Sequence, residues 1–397
     1  MSVQENLNKL INLPLNNRIF NLAESFNGKA MLVGGCVRNA LLDEKFDIYK
    51  TDFDFAVDFK ILDFLKLAEN SGLKIYDKDI RYGTISISDQ ENIAQITQLR
   101  IDIKNFGRHA NILPTNNWFE DSNRRDFTVN AIYLDKDGVI FDPQSGFNDL
   151  LENKLKFVGN AKYRIKEDRL RILRAFRISS QNIKLELNKA NLEILKENIN
   201  EIQKISKSRV LSEFEKIFKS PGLKKTLALF SFLNVDQILF DEKFNLKIIN
   251  NNNYLKILNY YNFMILLSLM LKKEARKKIL NNYNINKNDK KTIISIDKKV
   301  DDKVLDLLMG KNWKKACYWL KNNTSIIYVK NCIEKKIPIN YNKLHSILNH
   351  NIPVFPISGK EIKNKYNISG ETLGNKIREL EFEWVNKNFP ENFKIIK

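Results

Sequence analysis

The sequence predicts a mixed α/β head at the amino-terminal end, followed by an all-α region. In the first 150 residues, short apolar segments alternate with glycine-containing turns, which is typical of strands joined by short connections. From about Lys162 onward, apolar residues recur at a spacing near 3.6, which is typical of amphipathic helices, and glycines become rare. We therefore expect a head at residues 1–150, a helical neck at 151–220, a helical body at 221–330 and a helical tail at 331–397.

The individual elements of the head and neck follow from local patterns. An apolar strand that runs into a Gly-Gly turn and then a helix is predicted at residues 29–44. The next strand, at 52–58, alternates acidic and apolar residues with period two, as a half-buried strand does. Further strands and a hairpin are predicted at residues 81–88, 92–103 and 130–142. The Asp137-Gly138 pair in that hairpin favours a tight primed turn. Amphipathic helices are predicted in the neck at residues 164–180, 189–202 and 208–220.

The chain carries a large positive charge. Its 66 lysines and arginines against 47 acidic residues give a formal net charge of +19, which favours a polyanionic partner such as nucleic acid. Lysines on solvated surfaces explain the same excess about equally well. The three cysteines show no CxxC spacing, which argues against a disulfide framework or a cysteine-bound zinc and fits a reducing cytoplasm.

Neither export nor membrane insertion is expected. The first residues lack the basic segment and the unbroken apolar segment of a signal peptide. The most apolar run, at 263–271, is about half the roughly 20 residues that a membrane-spanning helix needs. We expect a cytoplasmic protein with a buried helix at that run.

A pair of acids in the strand at 52–58 is the first candidate site. Asp52 and Asp54 are two residues apart, so their carboxylates project from one face of the strand while Phe53 and Phe55 enter the core. Mg²⁺ prefers such oxygen ligands, together with phosphate oxygens and water. An alternating surface strand would show the same pattern, so the acids alone are a weak signal.

The residues just upstream strengthen this interpretation. Gly34 and Gly35 form a strand-to-helix turn whose backbone amides can approach a phosphate, and Arg38 follows one turn into the helix. A glycine turn that holds a triphosphate, followed by a metal-binding acid pair, is the layout of a nucleotidyl transfer site. Asp102, on a neighbouring predicted strand, is the candidate for a third carboxylate.

Several sequence blocks resemble the motifs of one family and occur in the same order along the chain. They are "LVGGCVRNALL" with "DFDFAVD", then "RRDFTVNAIYLD", "DPQSGFNDL", "EDRLRILRAFR" and "ISKSRVLSEFEKIF". The chain resembles the class II tRNA nucleotidyltransferases, or CCA-adding enzymes, and their bacterial poly(A) polymerase relatives, within the polymerase-beta-like nucleotidyltransferases. The resemblance covers roughly residues 29 to 220, with a weaker one in the tail.

The resemblance implies a role for each matching residue. The acid pair would bind the catalytic Mg²⁺ ions, and the glycine turn with Arg38 would hold the triphosphate. Arg125, Asp126 and Asn130 match the second block, where the family contacts the ribose and the incoming nucleotide. In the third block, Asp142 and Gly146 resemble hinge or structural positions.

The chain departs from the family pattern at two places. Asn39 stands where the family usually has an acid after the arginine of the first block, so any salt bridge that this acid makes is missing. Phe106 stands where relatives commonly carry an acid, directly before Gly107 and Arg108. The segment around it, at 104–118, resembles the flexible loop associated with switching from C to A addition.

The helix predicted over 166–177 carries the candidate for nucleotide choice. On a continuous helix, Glu167, Arg171 and Arg174 fall within about 60°, with Asp168 about 60° further on. One interpretation is a ladder of ion pairs on a solvated face. The other is a reader of bases: a carboxylate that only accepts, beside a guanidinium that only donates, matches the edges of C and A and opposes G and U. Asp168 with Arg171 is such a pair, and Arg174 is a further nucleotide-binding candidate.

The sequence thus favours a cytoplasmic, Mg²⁺-dependent enzyme that adds CCA to the 3′ end of tRNA from CTP and ATP without a nucleic-acid template. A poly(A) polymerase is the nearest rival, although "DPQSGFNDL" favours the CCA-adding type. An enzyme that adds only CC or only A is a further alternative. An RNA-binding protein that lacks activity is disfavoured by the acid pair. A His-Asp phosphohydrolase is disfavoured because none of the three histidines precedes an aspartate.

Overall fold

A mixed seven-stranded sheet forms the head, as the sequence predicts. The structure is a computed structural model, and it describes residues 2–25, 27–42, 46–69, 71–106, 109–247, 257 and 259–394. The chain divides into two compact units, residues 1–239 and 240–397. The finer division into head, neck, body and tail stays a prediction.

The first unit contains all the strands that the structure describes. They are β1 (Ala30–Val33), β2 (Phe53–Val57), β3 (Lys74–Tyr76), β4 (Thr84–Ser88), β5 (Ile93–Gln98), β6 (Arg100–Phe106), β7 (His109–Pro114), β8 (Tyr133–Leu134), β9 (Ile140–Phe141), β10 (Lys154–Leu155) and β11 (Glu186–Leu187). The main sheet has the order β3-β4-β5-β2-β1-β8-β9. In it β2 and β5 run parallel, and the other neighbouring strands run antiparallel. β6 pairs with β7, and β10 pairs with β11.

The helices of the first unit surround and extend this sheet. They are α1 (Val3–Ile11), α2 (Pro14–Ser25), α3 (Gly35–Leu42), α4 (Ile61–Glu69), α5 (Trp118–Asn123), α6 (Gly146–Leu151), α7 (Ala161–Glu167), α8 (Leu170–Gln181), α9 (Lys189–Glu197), α10 (Lys207–Phe218), α11 (Leu223–Phe232) and α12 (Val235–Phe240). Short 3₁₀ turns lie at Ile48–Lys50, Ile80–Tyr82, Thr128–Asn130 and Ile199–Lys204.

The central strand β2 carries apolar side chains on both faces of the sheet, and an acidic residue lies near the start of the strand. Phe53 and Phe55 are buried, and the Phe55 ring meets the Phe20 ring of α2 edge to face at 5.2 Å. Ala56 lies on the opposite face in a cluster with Val33 of β1, against which Trp118 of α5 packs. Asp54 precedes Ala56 by two residues and therefore lies at the end of that second face.

The structure corrects two local predictions. The hairpin of β8 and β9 does not close through a two-residue primed turn. Its Asp135 amide donates to the Val139 carbonyl, so three residues separate the pair, and Gly138 takes a φ of +82°. The strand predicted at 92–103 is two strands, since β5 joins the main sheet and β6 pairs with β7 instead.

A third correction concerns the helix predicted over 166–177. α7 ends at Glu167, and α8 begins at Leu170. Asp168 between them has extended backbone, with φ −141° and ψ 107°. The Asp168 carboxylate accepts a hydrogen bond from the Leu170 amide at 3.1 Å, which satisfies a donor at the start of α8. A residue that caps a helix start favours extended backbone, and this interrupts the helical periodicity.

The second unit is helical. Its helices cover Phe263–Leu269, Lys273–Asn282, Lys287–Ile296, Asp302–Met309, Trp313–Leu320, Thr324–Glu334, Tyr341–Leu348, Gly359–Tyr366 and Gly370–Asn386. Tyr318, Trp384 and Val385 form one of its apolar clusters. The helix predicted at 263–271 is confirmed and is buried. Across the described ranges, no helix is both long enough and apolar enough to cross a bilayer.

Candidate active site

The glycine turn and the acid pair lie at the same end of the sheet. β1 and β2 are antiparallel, with Val33 opposite Asp54, so the residue that follows β1 lies beside the start of β2. Gly34 has a φ of +83°, which favours glycine, and a Cβ at this position would lie 3.5 Å from the Asp54 Oδ2 atom. α3 begins at Gly35, so its first amides also point toward this end of the sheet.

Asp54 is a partly buried carboxyl whose charge needs a partner. Burial raises the pKa of Asp54 to about 6, the Arg125 guanidinium opposes this, and the Asp52 charge adds to it. The exposed Lys216 of α10 also lowers this pKa, a contribution that no sequence pattern indicated. A cation between the two carboxylates would remove both the repulsion and the burial cost.

The donor set therefore fits a hard divalent cation. Two carboxylates, completed by water and phosphate oxygens, form the usual protein contribution to a Mg²⁺ site. Within the described residues, His, Cys, Asp and Glu side chains do not form a group of three or more that could hold a metal. Asp52 and Asp54 are the two carboxylates at this end of the sheet that could hold such a cation.

Arg38 is anchored by neutral oxygen acceptors rather than by an acid. It is buried, and it donates to the Asn130 side-chain oxygen and, at 3.1 and 2.9 Å, to the Asn39 side-chain oxygen. Burial, together with the nearby Arg177 charge, lowers the pKa of Arg38 to about 10, so the side chain stays cationic at neutral pH. Asn39, which stands where the family usually has an acid, thus accepts two hydrogen bonds from Arg38.

Asp126 joins the second sequence block to α8. Its carboxylate accepts from the Asn130 side-chain amide at 2.9 Å and from the Arg174 Nε at 2.6 Å. Burial alone would raise the pKa of Asp126, but the Arg174 charge holds it well below its usual range. A continuous network therefore runs from Arg38 through Asn130 and Asp126 to Arg174.

Arg125 belongs to a second buried network that sequence reasoning missed. Its Nη2 atom donates to Asp121 at 3.0 Å, and its Nε atom donates to the Tyr133 hydroxyl at 3.0 Å. Asp121 is fully buried and also pairs with Arg124 at 2.7 Å. The four-residue spacing from Asp121 to Arg125 was the available signal, since it places both on one side of a helical turn.

The structure does not show Asp168 and Arg171 bound to each other. The second Asp168 oxygen accepts from Arg209 of α10 at 2.7 Å. Arg171 donates to Glu167 at 2.7 Å and to two backbone carbonyls, those of Arg164 at 2.8 Å and Arg124 at 3.1 Å. The ion-pair ladder therefore exists between Glu167 and Arg171, while Asp168 stands outside it because the helix is interrupted there.

Asp102 lies away from the acid pair in the topology. β5 runs parallel to β2 with Gln98 opposite Val57, so β6 begins near the far end of β2 from Asp52. The Asp102 carboxylate lies 3.7 Å from the Arg100 Nε. Its role as a third carboxylate stays a prediction.

Two further positions complete the comparison with the sequence. Asp142 accepts from the amides of Gly146 and Phe147, each at 2.8 Å, and so fixes the start of α6. Phe106 ends β6, and Gly107 and Arg108 of the predicted flexible loop lie outside the described residues.

The mixed sheet, the glycine turn and the adjacent acid pair define a nucleotidyltransferase head. Residues 30–156 match the family model "Poly A polymerase head domain", and residues 184–242 match "Probable RNA and SrmB-binding site of polymerase A". Over these ranges the chain is similar to the class II tRNA nucleotidyltransferases, the CCA-adding enzymes, and to their poly(A) polymerase relatives.

Named relatives and solved structures extend this likeness along the chain. The mitochondrial CCA tRNA nucleotidyltransferase 1 of Mus musculus is 29% identical over 385 residues, which cover 91% of this chain and 84% of that protein. The CCA-adding enzyme of Lactobacillus johnsonii is 32% identical over 204 residues, 51% of this chain and 49% of that protein. The Thermotoga maritima CCA-adding enzyme complexed with tRNA superposes with a TM-score of 0.68 at 20% identity, covering 100% of this chain and 96% of that one. The apo form II of a CCA-adding enzyme superposes with a TM-score of 0.73 at 21% identity, covering 99% and 96%.

Proposed function

We propose that this protein adds CCA to the 3′ end of tRNA from CTP and ATP, releases pyrophosphate and uses no nucleic-acid template. The observation that carries the proposal is the closeness of the Gly34 turn to the Asp54 carboxylate, whose Oδ2 atom would lie 3.5 Å from a Cβ at Gly34. It brings a phosphate-binding turn and a metal-binding acid to one end of the sheet, as nucleotidyl transfer requires. Relatives named as CCA-adding enzymes match over most of the chain, which supports this substrate and product.

The reaction joins the 3′-hydroxyl of the RNA to the α-phosphate of the nucleotide. Asp52 and Asp54 would hold Mg²⁺, which when bound lowers the pKa of the attacking hydroxyl and stabilises the leaving pyrophosphate. The amides at Gly34 and Gly35 and the Arg38 cation bind the triphosphate. The network from Arg38 through Asn130 and Asp126 fixes that cation in place before the nucleotide arrives.

Nucleotide choice falls to Asp168 and Arg171, which keep the hydrogen-bonding capacity to read a base. A carboxylate has about four acceptor positions, and the hydrogen bonds from Leu170 and Arg209 occupy two of those of Asp168. A guanidinium has about five N–H groups, and Arg171 uses three of them for Glu167 and the two carbonyls. The acceptor of Asp168 suits the amino groups of C and A, and the donors of Arg171 suit their ring nitrogens.

The cellular setting is part of the proposal. Nothing in the chemistry of the site requires an oxidising compartment, and the three cysteines are buried and unpaired. We place the protein in the cytoplasm, where tRNA and nucleoside triphosphates are both present. The large positive charge would hold the tRNA backbone through phosphate contacts.

A poly(A) polymerase is the second candidate, because the matching head model is described by that activity. One assay separates the two. Transfer RNAs that end before the first C, after C and after CC are offered CTP and ATP, separately and together, and the product ends are sequenced. We expect C, C and A in that order and termination after A. Long A tails on unrelated RNA would replace our proposal by the rival.

A matched variant ties the chemistry to the acid pair. Asp54→Asn keeps the size of the side chain but removes its charge, so we expect transfer of every nucleotide to be lost while the fold remains. Circular dichroism and thermal unfolding serve as the control for the fold. Substantial transfer by this variant in Mg²⁺ would exclude Asp54 from the metal site.

A further inference from the structure

An exposed tyrosine lies directly before the acid pair. Tyr49 is 83% exposed, although it belongs to the 3₁₀ turn Ile48–Lys50 that connects α3 with β2. It precedes Asp52 by three residues, so the two Cα atoms are at most about 11 Å apart. The turn that carries the ring therefore lies close to the proposed active site, and the proposed function gives the ring no role.

The backbone that carries Tyr49 is fixed by local hydrogen bonds. The Tyr49 amide donates to the Asp47 carboxylate at 3.1 Å, and the Thr51 hydroxyl donates to the Asp47 carbonyl at 2.9 Å. Buried phenylalanines, Phe46 and Phe53, anchor the two ends of the segment. The turn thus holds a large aromatic ring in water, where the ring contributes little to the stability of the fold. Because the turn is already fixed, little conformational entropy is lost when the ring binds a ligand.

The turn that carries Tyr49 lies near the point that the 3′ end of the RNA must reach. The attacking 3′-hydroxyl must reach the metal ions at Asp52 and Asp54, and the base on the same nucleotide lies within one nucleotide of that point. We propose that Tyr49 stacks on the base at the 3′ end of the RNA substrate, an inference that rests on the proposed function. The base and the ring would together place the hydroxyl beside the acids.

Stacking also suits what the site must accept. Three successive substrates end in a variable base, in C and in CC, so the site cannot select one terminal base by hydrogen bonds. Every base has an aromatic face, and stacking on an aromatic side chain is tolerant of sequence. Tyr49 would therefore support all three rounds equally, while the choice of the incoming nucleotide remains with Asp168 and Arg171.

Steady-state kinetics test this assignment with three variants. Tyr49→Ala should raise the KM for tRNA that lacks CCA by about 5- to 150-fold and leave the KM for CTP unchanged, since stacking on one base contributes about 1–3 kcal/mol. Tyr49→Phe keeps the ring and should behave like the wild type. Tyr76→Ala, which removes another exposed tyrosine of the same unit, is the matched control and should also behave like the wild type. A wild-type KM for tRNA in Tyr49→Ala, or a rise in the KM for CTP instead, would overturn the proposal.

A binding measurement separates this inference from the proposed function. Transfer RNA that lacks CCA and carries 2-aminopurine as its last base is titrated with protein in the absence of nucleotide. Stacking on Tyr49 should quench the fluorescence with the wild type and with Tyr49→Phe, and much less with Tyr49→Ala. Equal quenching by the wild type and Tyr49→Ala would exclude the stack. If the wild type quenches the fluorescence, Tyr49→Ala does not, and the wild type adds no CCA, the stack is retained and the proposed function is rejected.

Discussion

Substitution of Asp168 by asparagine tests base reading without removing the helix cap. The asparagine oxygen can still accept from the Leu170 amide, as Asp168 does at 3.1 Å, and asparagine caps helices as well as aspartate does. The second oxygen, which in the wild type accepts from Arg209 at 2.7 Å, is replaced by the amide NH2 group of asparagine. A donor then stands where the amino group of C or A needs an acceptor.

The two expected effects differ in size. The Asp168 and Arg209 side chains are 23% and 24% exposed, so loss of their ion pair should cost about 1 kcal/mol of stability or less. Loss of a base contact costs about 1–3 kcal/mol of discrimination, a change of about 5- to 150-fold. Nucleotide selectivity should therefore change far more than the free energy of unfolding.

Single-nucleotide incorporation on tRNA that lacks CCA measures the selectivity. We expect the ratio of kcat/KM for CTP to that for UTP to fall in Asp168→Asn, with transfer itself retained. Glu201→Gln is the control, because Glu201 holds Arg169 at the start of α8 through a similarly exposed ion pair at 2.7 Å and has no expected role in base reading. An unchanged ratio in Asp168→Asn would refute the assignment of Asp168 as a reader, and an equal change in the control would assign the effect to the position of the helix.

Two stability predictions follow from contacts near the site. A Cβ at Gly146 would lie 2.1 Å from the Thr128 carbonyl oxygen, so Gly146→Ala should lower the free energy of unfolding by about 3 kcal/mol. Gly374→Ala is the control: a Cβ there would meet nothing within 4 Å, so the free energy of unfolding should stay unchanged or rise slightly. Urea unfolding followed by circular dichroism measures both variants, and equal midpoints would contradict the close contact at Gly146. Burial opposes ionisation of Asp121, but Arg124 and Arg125 hold its pKa well below its usual range. The ionised carboxylate therefore stabilises the fold at any pH above the pKa of aspartate in the unfolded chain, about 3.9, and this stabilisation is lost as the pH falls below that value. Asp121→Asn should therefore lower stability at pH 7 and make the remaining stability less dependent on pH below about 4, and a parallel loss in both proteins on acidification would show that other groups dominate.

The features that could be predicted from the sequence are those that local patterns determine. The alternation at Asp52–Val57 fixed which side chains of β2 enter the core, and the Gly-Gly turn placed a helix start beside the acids. The interruption at Asp168 could not be predicted, because the apolar periodicity continues through it from α7 into α8. A capping side chain decides that position, and its effect on backbone geometry leaves no periodic signal.

Hydrogen-bond and ion-pair partners that are distant in sequence could not be predicted either. These contacts determine how the effect of a substitution can be interpreted. Asp126 binds both Asn130, which contacts Arg38 of the triphosphate turn, and Arg174 of α8. With the proposed roles of Arg38 and Arg174, we expect a change at Asp126 to shift nucleotide affinity and base selectivity together. Asp168 accepts a hydrogen bond instead from Arg209, 41 residues along the chain, and it acts on that network through the effect of its charge on Arg174. The proposed roles therefore predict that a substitution at Asp168 changes nucleotide choice more than it changes binding of the triphosphate.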